Sequence, residues 1–179
     1  MNIYINEESI LHIETLIVGL PEHINQLREI KYNNQSINEQ LETLKQHHII
    51  GSSVGKISST MFYTNNQPKR LLTVGLGNLK DLSYQRLLKV WGHTFQFLKQ
   101  EHINEAEVLL DTFISKYNDS IEVAKTFGLQ SNQSIYQFDN YKSDKKAPYQ
   151  PNIYVQTEFD KVNSAIYEGQ QLGKSINLA

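Results

Sequence analysis

The 179-residue sequence contains no cysteine. This absence excludes disulfide scaffolds, thiolate metal sites and cysteine nucleophiles. No apolar run approaches the roughly 20 residues that a membrane-spanning helix needs. Residues 1–6 have neither a basic stretch nor an apolar core, so no secretion signal is expected. With 39% hydrophobic and 20% charged residues, the composition predicts a cytoplasmic, globular protein of one domain with no membrane partner.

An excess of charge of one sign is also missing, because seventeen basic residues stand against nineteen acidic ones, for a net charge of −2. Only three of the basic residues are arginines, namely Arg28, Arg70 and Arg86. A nucleic-acid-binding domain usually carries a basic stripe and a strongly positive charge. The densest basic cluster, at residues 142–146, is interpreted as a solvated loop. No nucleic-acid partner is therefore expected.

Hydrophobic patterning in the first half of the chain predicts strands and one short helix. Residues 11–19 change from alternation to a continuous apolar run, which is typical of a strand that becomes buried on both faces. Ser36 and Glu39 have the spacing of a capping box, which predicts that a helix begins there. Two β-branched and aromatic runs, at 56–64 and 70–75, are separated by a polar turn and predict a hairpin.

The second half of the chain alternates helices with strands. The clearest helix begins after Ser83 and repeats apolar residues at helical spacing from Tyr84 onward. A buried strand is expected at 107–111, another helix from Asp119, and a last short strand at 152–155. This alternation predicts an α/β fold with three layers, in which helices cover both faces of a mixed, mostly parallel sheet.

The last predicted helix begins at Asp160 and carries a stripe of small residues. Ala165, Gly169 and Gly173 are spaced by four, and a glycine inside a helix costs ~1 kcal/mol relative to alanine. Close packing against a neighbouring element is therefore expected to offset that cost. The residues expected to face inward are Val162, Ile166, Gly169, Leu172, Gly173 and Ile176. The helix carries no closing signal, so we expect that the chain has been cut within it.

One glycine-containing turn has the placement of a phosphate site. Gly75 and Gly77 follow a predicted strand and precede a helix, which is where dinucleotide-binding folds cradle phosphate. Lys80 occupies the position of that fingerprint's third glycine, and the P-loop spacing is absent. A structural strand-to-helix turn is therefore favoured, with phosphate binding as the alternative.

The other chemistry-bearing side chains form no recognisable constellation. His47 and His48 are adjacent, so on a helix they point ~100° apart and cannot chelate one ion from one face. His93 and His102 lack the glutamate spacing of a metal-binding helix. The acidic residues expected at strand ends, in solvated or capping roles, are Glu14, Glu107 and Asp111. No catalytic, cofactor-binding or metal-binding residue is predicted in this chain.

Three segments, taken in order, carry a resemblance to a known family. They are R-L-L-T-V-G-L-G at 70–77, Y-Q-F-D-N-Y-K at 136–142 and Y-E-G-Q-Q-L-G-K-S-I-N-L-A at 167–179. Together they resemble the N-terminal domain of the cytosolic leucyl aminopeptidase family of metallopeptidases. Gly173 and Lys174 depart from that pattern, since relatives usually carry alanine there. The resemblance implies a macro-domain-like fold, with an α/β domain at 1–158 and, at 159–179, a linker helix that leads to an absent C-terminal catalytic domain.

The resemblance also implies a function. The full-length protein would release N-terminal amino acids from peptides with two divalent metals, manganese or zinc, held in that C-terminal domain, and it would assemble as a hexamer. No catalytic or metal-binding position of the family falls within this chain, which alone should be inactive. An alternative from another class is a macro-like module that binds a nucleotide or ADP-ribose through Gly75 and Gly77.

Overall fold

The computed structural model describes residues 1–8, 12–64, 66–139 and 149–178. The loop predicted at 142–146, Asn65 of the predicted turn, and Leu11 of the first predicted strand lie outside these residues. No helix in the described ranges is long and apolar enough to cross a membrane. The elements, in chain order, are β1 (Asn2–Ile5), β2 (Thr15–Pro21), β3 (Lys31–Tyr32), β4 (Gln35–Ser36), α1 (Asn38–Gln46), β5 (Ile57–Thr64), β6 (Gln67–Gly77), α2 (Tyr84–Gln100), β7 (Glu105–Leu109), α3 (Ser120–Asp139), β8 (Asn152–Gln156) and α4 (Val162–Leu178).

Six of the strands form one mixed sheet in the order β1-β8-β7-β2-β6-β5. All neighbours run parallel except the β5–β6 pair, which is the hairpin that the sequence predicts. The strands β3 and β4 form a separate two-stranded ribbon. The mostly parallel α/β class is therefore confirmed, and β2 lies at the centre of the sheet, where every one of its residues is buried.

The two faces of the sheet have separate cores. On one face, Ile17 and Val74 pack with α2, α3 and α4 around Trp91, whose ring centroid lies 4.3 Å from that of Phe113. On the other face, Leu16 and neighbouring strand residues pack under α1 and the β3–β4 ribbon. This division follows from strand geometry, because successive side chains point to opposite faces. The predicted helix layers on both faces are thus present.

The predicted capping box is wrong. Ser36 belongs to β4, where it pairs with Lys31 and has an extended backbone, so it lies outside the helix. Helix α1 begins at Asn38 after Ile37, which provides no side-chain cap. The Asn38 side chain instead accepts a hydrogen bond from the Ile30 amide at 2.7 Å and ties α1 to the segment before the ribbon. By contrast, the Ser83 hydroxyl caps α2 and accepts from the Arg86 amide.

Strand bounds also differ from the predictions, and the strand predicted at 70–75 is the longer β6, Gln67–Gly77. The strand predicted at 11–19 is β2, which begins only at Thr15, because His12 lies in a turn. It continues beyond Gly19 to Pro21, because it pairs with β6 along its whole length. The strand predicted at 107–111 is shifted to Glu105–Leu109, because a 3₁₀ turn at Leu110–Phe113 follows it directly.

The small-residue stripe of α4 packs against α3 as predicted. A Cβ built at Gly169 would lie 2.0 Å from the Lys125 carbonyl oxygen, and one built at Gly173 would lie 2.7 Å from that of Leu129. The α3 backbone is therefore closer to Gly169 than to Gly173.

The prediction that Leu172 and Ile176 face inward is wrong, because both side chains are exposed. Ile176 lies beyond the close contact and is 49% exposed. Leu172, one residue before Gly173 and thus about 100° around the helix, is 40% exposed.

Candidate functional site

Gly75 and Gly77, which the sequence predicts to form a turn after the strand, lie instead in the last three residues of β6, where the backbone of the preceding loop packs against them. The Gly75 amide donates to the Lys56 carbonyl at 2.8 Å, and the Gly77 amide donates to the Ser52 carbonyl at 2.7 Å. A Cβ at Gly75 would lie 1.9 Å from the Ser53 carbonyl oxygen, so the glycine is required for this close approach. Gly77 has a φ of +64°, which also favours glycine. Both amides are engaged, which leaves neither of them available to a phosphate group.

The six histidines are dispersed over the surface. All of them are exposed, and His93 makes a 2.9 Å hydrogen bond through Nδ1 to the Gly55 carbonyl oxygen. His12 lies 3.5 Å from the Glu105 carboxylate at the start of β7. Within the described ranges, no three histidine or acidic side chains come close enough together to hold a metal ion.

The three carboxylates singled out in the sequence have different environments. Glu14 is exposed, as expected. Asp111 caps a turn, since its carboxylate accepts from the Thr157 hydroxyl at 2.5 Å and from the Glu158 amide at 2.9 Å. The prediction for Glu107 is wrong, because this residue lies within β7 and is only 3% exposed. The pairing of β7 with β2 and β8 on both sides holds it in the interior of the sheet.

Glu107 belongs to a buried polar cluster with Lys69 of β6 and Tyr32 of β3, which we call the Tyr32–Lys69–Glu107 cluster. The Tyr32 hydroxyl and the Glu107 carboxylate share a hydrogen bond. The Lys69 ammonium donates to the Ile13 carbonyl and lies 5.9 Å from the centroid of the Tyr32 ring. Lys69 is 5% exposed and Tyr32 is 8% exposed, so the cluster is enclosed between the sheet and the β3–β4 ribbon.

Burial controls the electrostatics of this cluster. It raises the pKa of Glu107 to about 7, although the Lys69 charge and the Tyr32 hydrogen bond act in the opposite direction. Burial also lowers the pKa of Lys69, with Glu107 and then Glu14 opposing the change. The pKa of Tyr32 is raised, first by burial and then by the Glu107 charge. The Glu107 carboxyl can therefore take up or release a proton near neutral pH.

The cluster connects three strands that are distant in sequence. Because all three side chains are buried, a molecule in solution cannot contact them. Its chemistry is that of two buried groups of opposite charge that influence each other electrostatically and change protonation with pH. A sequence signal for it does exist: Glu107 is an acidic residue within a strand that must be covered on both faces. Such a residue needs a buried partner, but the sequence does not show that Lys69 and Tyr32 supply it.

The chain matches a known family. The profile described as "Cytosol aminopeptidase family, N-terminal domain" matches residues 17–145. Curated relatives include the probable cytosol aminopeptidases of Bacillus licheniformis, 24% identical over 170 residues, and of Bacillus subtilis, 26% identical over 172 residues. These alignments cover 93% and 94% of the chain. The chain spans only about a third of each relative, 34% of its length.

Solved structures share the fold. A mutant of tomato leucine aminopeptidase superposes with a TM-score of 0.65 at 12% identity, covering 98% of this chain and 36% of its own. The bottromycin maturation enzyme BotP superposes with a TM-score of 0.63 at 13% identity, covering 93% of this chain and 31% of its own. At such low identity these likenesses establish the architecture alone.

Proposed function

Because this chain belongs to the cytosol aminopeptidase family and constitutes the N-terminal domain of that family, we propose that it is the non-catalytic part of a leucyl aminopeptidase. The full-length enzyme would release N-terminal amino acids from peptides in the cytoplasm. The observation that carries this proposal is the match of residues 17–145 to the N-terminal domain, combined with a span of only 34% of each curated relative. Most of each relative, in which the catalytic machinery would lie, has no counterpart in this chain.

Two divalent metals, manganese or zinc, are expected to activate water and polarise the scissile carbonyl in such an enzyme. The described residues do not fit that centre, because they bring no three metal-binding side chains together. Asp111 has both carboxylate oxygens engaged in a turn, and Glu107 is buried beside Lys69. In this proposal the metals belong to the C-terminal domain, and no catalytic step involves this chain.

The proposed partners are the catalytic domain of the same polypeptide and, in the full-length protein, the other subunits of a hexamer. Helix α4, at Val162–Leu178, would form most of the link to the catalytic domain. Its exposed apolar residues Leu172 and Ile176 agree with that role, because a linker helix must meet a second domain somewhere along its length.

A peptidase assay tests the assignment. The purified 179-residue chain and a full-length cytosol aminopeptidase are each incubated with leucine p-nitroanilide in the presence of Mn²⁺ or Zn²⁺. We expect turnover by the full-length enzyme and none above the buffer blank by this chain. Clear metal-dependent turnover by the purified chain would show that catalysis is not confined to the C-terminal domain.

A further inference from the structure

The edge strand β5 lacks the features that protect edge strands. Natural edges are usually short, or carry lysine, proline or a bulge that blocks pairing with another chain. Strand β5 runs over eight residues, I-S-S-T-M-F-Y-T, with no charged residue and no proline. It pairs in continuous register with β6, and no other described strand pairs with it. Its outer edge therefore presents a long, regular template for strand pairing.

The hydrogen-bond ladder between β5 and β6 determines which amides and carbonyls of β5 point away from β6. The Gly75 amide donates to the Lys56 carbonyl, so the Lys56 carbonyl points towards β6, although the Lys56 amide donates to the Ser53 carbonyl instead. Hydrogen-bonded pairs alternate in an antiparallel ladder. The amides and carbonyls that point away from β6 are consequently those of Ile57, Ser59, Met61 and Tyr63. Of these side chains, Met61 is 54% exposed and Tyr63 is 67% exposed.

We propose that β5 pairs antiparallel with β5 of a second copy of this chain, around a twofold axis at Thr60. In that register Ile57 lies opposite Tyr63 of the second copy, and Ser59 lies opposite Met61 of the second copy. All four outward residues of each chain are then paired. Since each such pair exchanges two hydrogen bonds, the contact contains about eight.

Charge and shape identify the second copy as the occupant. A twofold contact brings each strand against itself, so like charges in β5 would oppose one another, and β5 has none. The same symmetry places the exposed Tyr63 ring beside the half-buried Ile57 of the second copy. The opposite edge differs, because β1 has only four residues and is followed by Glu7 and Glu8. The proposal is independent of the peptidase assignment.

A single cysteine tests the register directly, because the chain has none of its own. In the proposed dimer the two Thr60 residues form a non-hydrogen-bonded pair, with Cα atoms about 4.5 Å apart, which is within disulfide range. We expect the Thr60→Cys variant to become a covalent dimer on mild oxidation at least tenfold faster than Gln85→Cys, an exposed control on α2. Equal rates for the two variants would overturn the proposal.

A proline variant tests the same contact without cross-linking. Met61→Pro removes an outward amide that the β6 ladder does not use, so the monomer should still fold. Met61→Ala is the matched control, because it shortens the same side chain and keeps the amide. Sedimentation from micromolar to near-millimolar concentration should show dimers for the natural chain and for Met61→Ala, and monomers for Met61→Pro.

A natural chain that stays monomeric over that range would overturn the proposal, as would a Met61→Pro variant that still dimerises. If Met61→Pro fails to fold by circular dichroism, the cysteine comparison decides the matter alone.

Discussion

Gly169 in α4 lies directly against the carbonyl oxygen of Lys125 in α3, where a Cβ would stand only 2.0 Å from that atom. The approach is reciprocal, because a Cβ at Gly128 of α3 would lie 2.1 Å from the Ile166 carbonyl oxygen. Two helices reach this separation only where neither carries a side chain at the crossing. The cost of interior glycine, ~1 kcal/mol each, is therefore offset by the packing that it permits.

The Gly169→Ala substitution should lower the free energy of unfolding by about 2 to 4 kcal/mol, because the methyl group meets backbone that cannot move aside. The matched control is Gly92→Ala in α2, where the new Cβ would lie 3.6 Å from the flexible Gln130 side chain. That variant should be stabilised by roughly 0.5–1 kcal/mol through helix propensity. Urea unfolding measures both, and two changes of the same sign would contradict the packing account.

Replacing Glu107 with glutamine should change how stability depends on pH. The pKa of Glu107 is raised in the folded protein to about 7 from 4.5, so between these values the folded chain binds more protons than the unfolded chain. The contribution of Glu107 to the free energy of unfolding is then fully present below pH 4.5 and is lost as the pH rises through about 7. The natural chain should lose roughly 1–3 kcal/mol over that interval relative to Glu107→Gln. The free energy of unfolding is measured with urea at several pH values. The same dependence on pH in both proteins would disprove the expectation.

Removing the cation of the Tyr32–Lys69–Glu107 cluster should be more damaging than removing its acid. Lys69→Met leaves the Glu107 charge buried without its cation, which typically costs about 3–5 kcal/mol. The loss should be largest above pH 7 and smaller at pH 5, where Glu107 is protonated. The double variant Lys69→Met/Glu107→Gln should regain most of the stability. A double variant no more stable than Lys69→Met at pH 8 would show that the charges are not coupled.

The two serines that precede helices provide a comparison between a real and an apparent cap. Ser83→Ala should destabilise the fold by about 1 kcal/mol, because its hydroxyl accepts from the Arg86 amide at the start of α2. Ser36→Ala should change stability by less than about 0.5 kcal/mol, because Ser36 is exposed in β4 and caps no helix. Thermal unfolding of the two variants distinguishes these expectations. An equal loss of stability in both would indicate that Ser36 caps α1 after all.

The parts of the fold that depend on local sequence are predictable. The apolar repeat of α2, its start after Ser83 and the hairpin of β5 and β6 each involve residues near one another in the chain, and each is present. The stripe at Gly169 and Gly173 also predicts close packing, because glycine inside a helix lowers stability unless a neighbouring backbone lies against it. The resemblance to the aminopeptidase family rests on motifs of the same local kind.

The parts that depend on distant partners are not predictable from one sequence. Strands β3 and β4 have two residues each, too short for any periodicity to appear, and their ribbon displaces the start of α1 past Ser36. The burial of Glu107 depends on Lys69, which is thirty-eight positions earlier in the chain. Strand β1 has only four residues, too few for a clear alternation, and among the described strands β8 alone pairs with it.

The pairing of β1 with β8 has a consequence for how the protein is made. The Asn2 amide side chain donates to the Asn152 side chain across a separation of 150 residues. A ribosome that adds about 5–20 residues per second needs roughly 8–30 s to synthesise that interval. During this time β1 has no partner strand, whereas β2, β5 and β6 can already pair with one another, so β1 is able to join the sheet only after most of the domain has been synthesised.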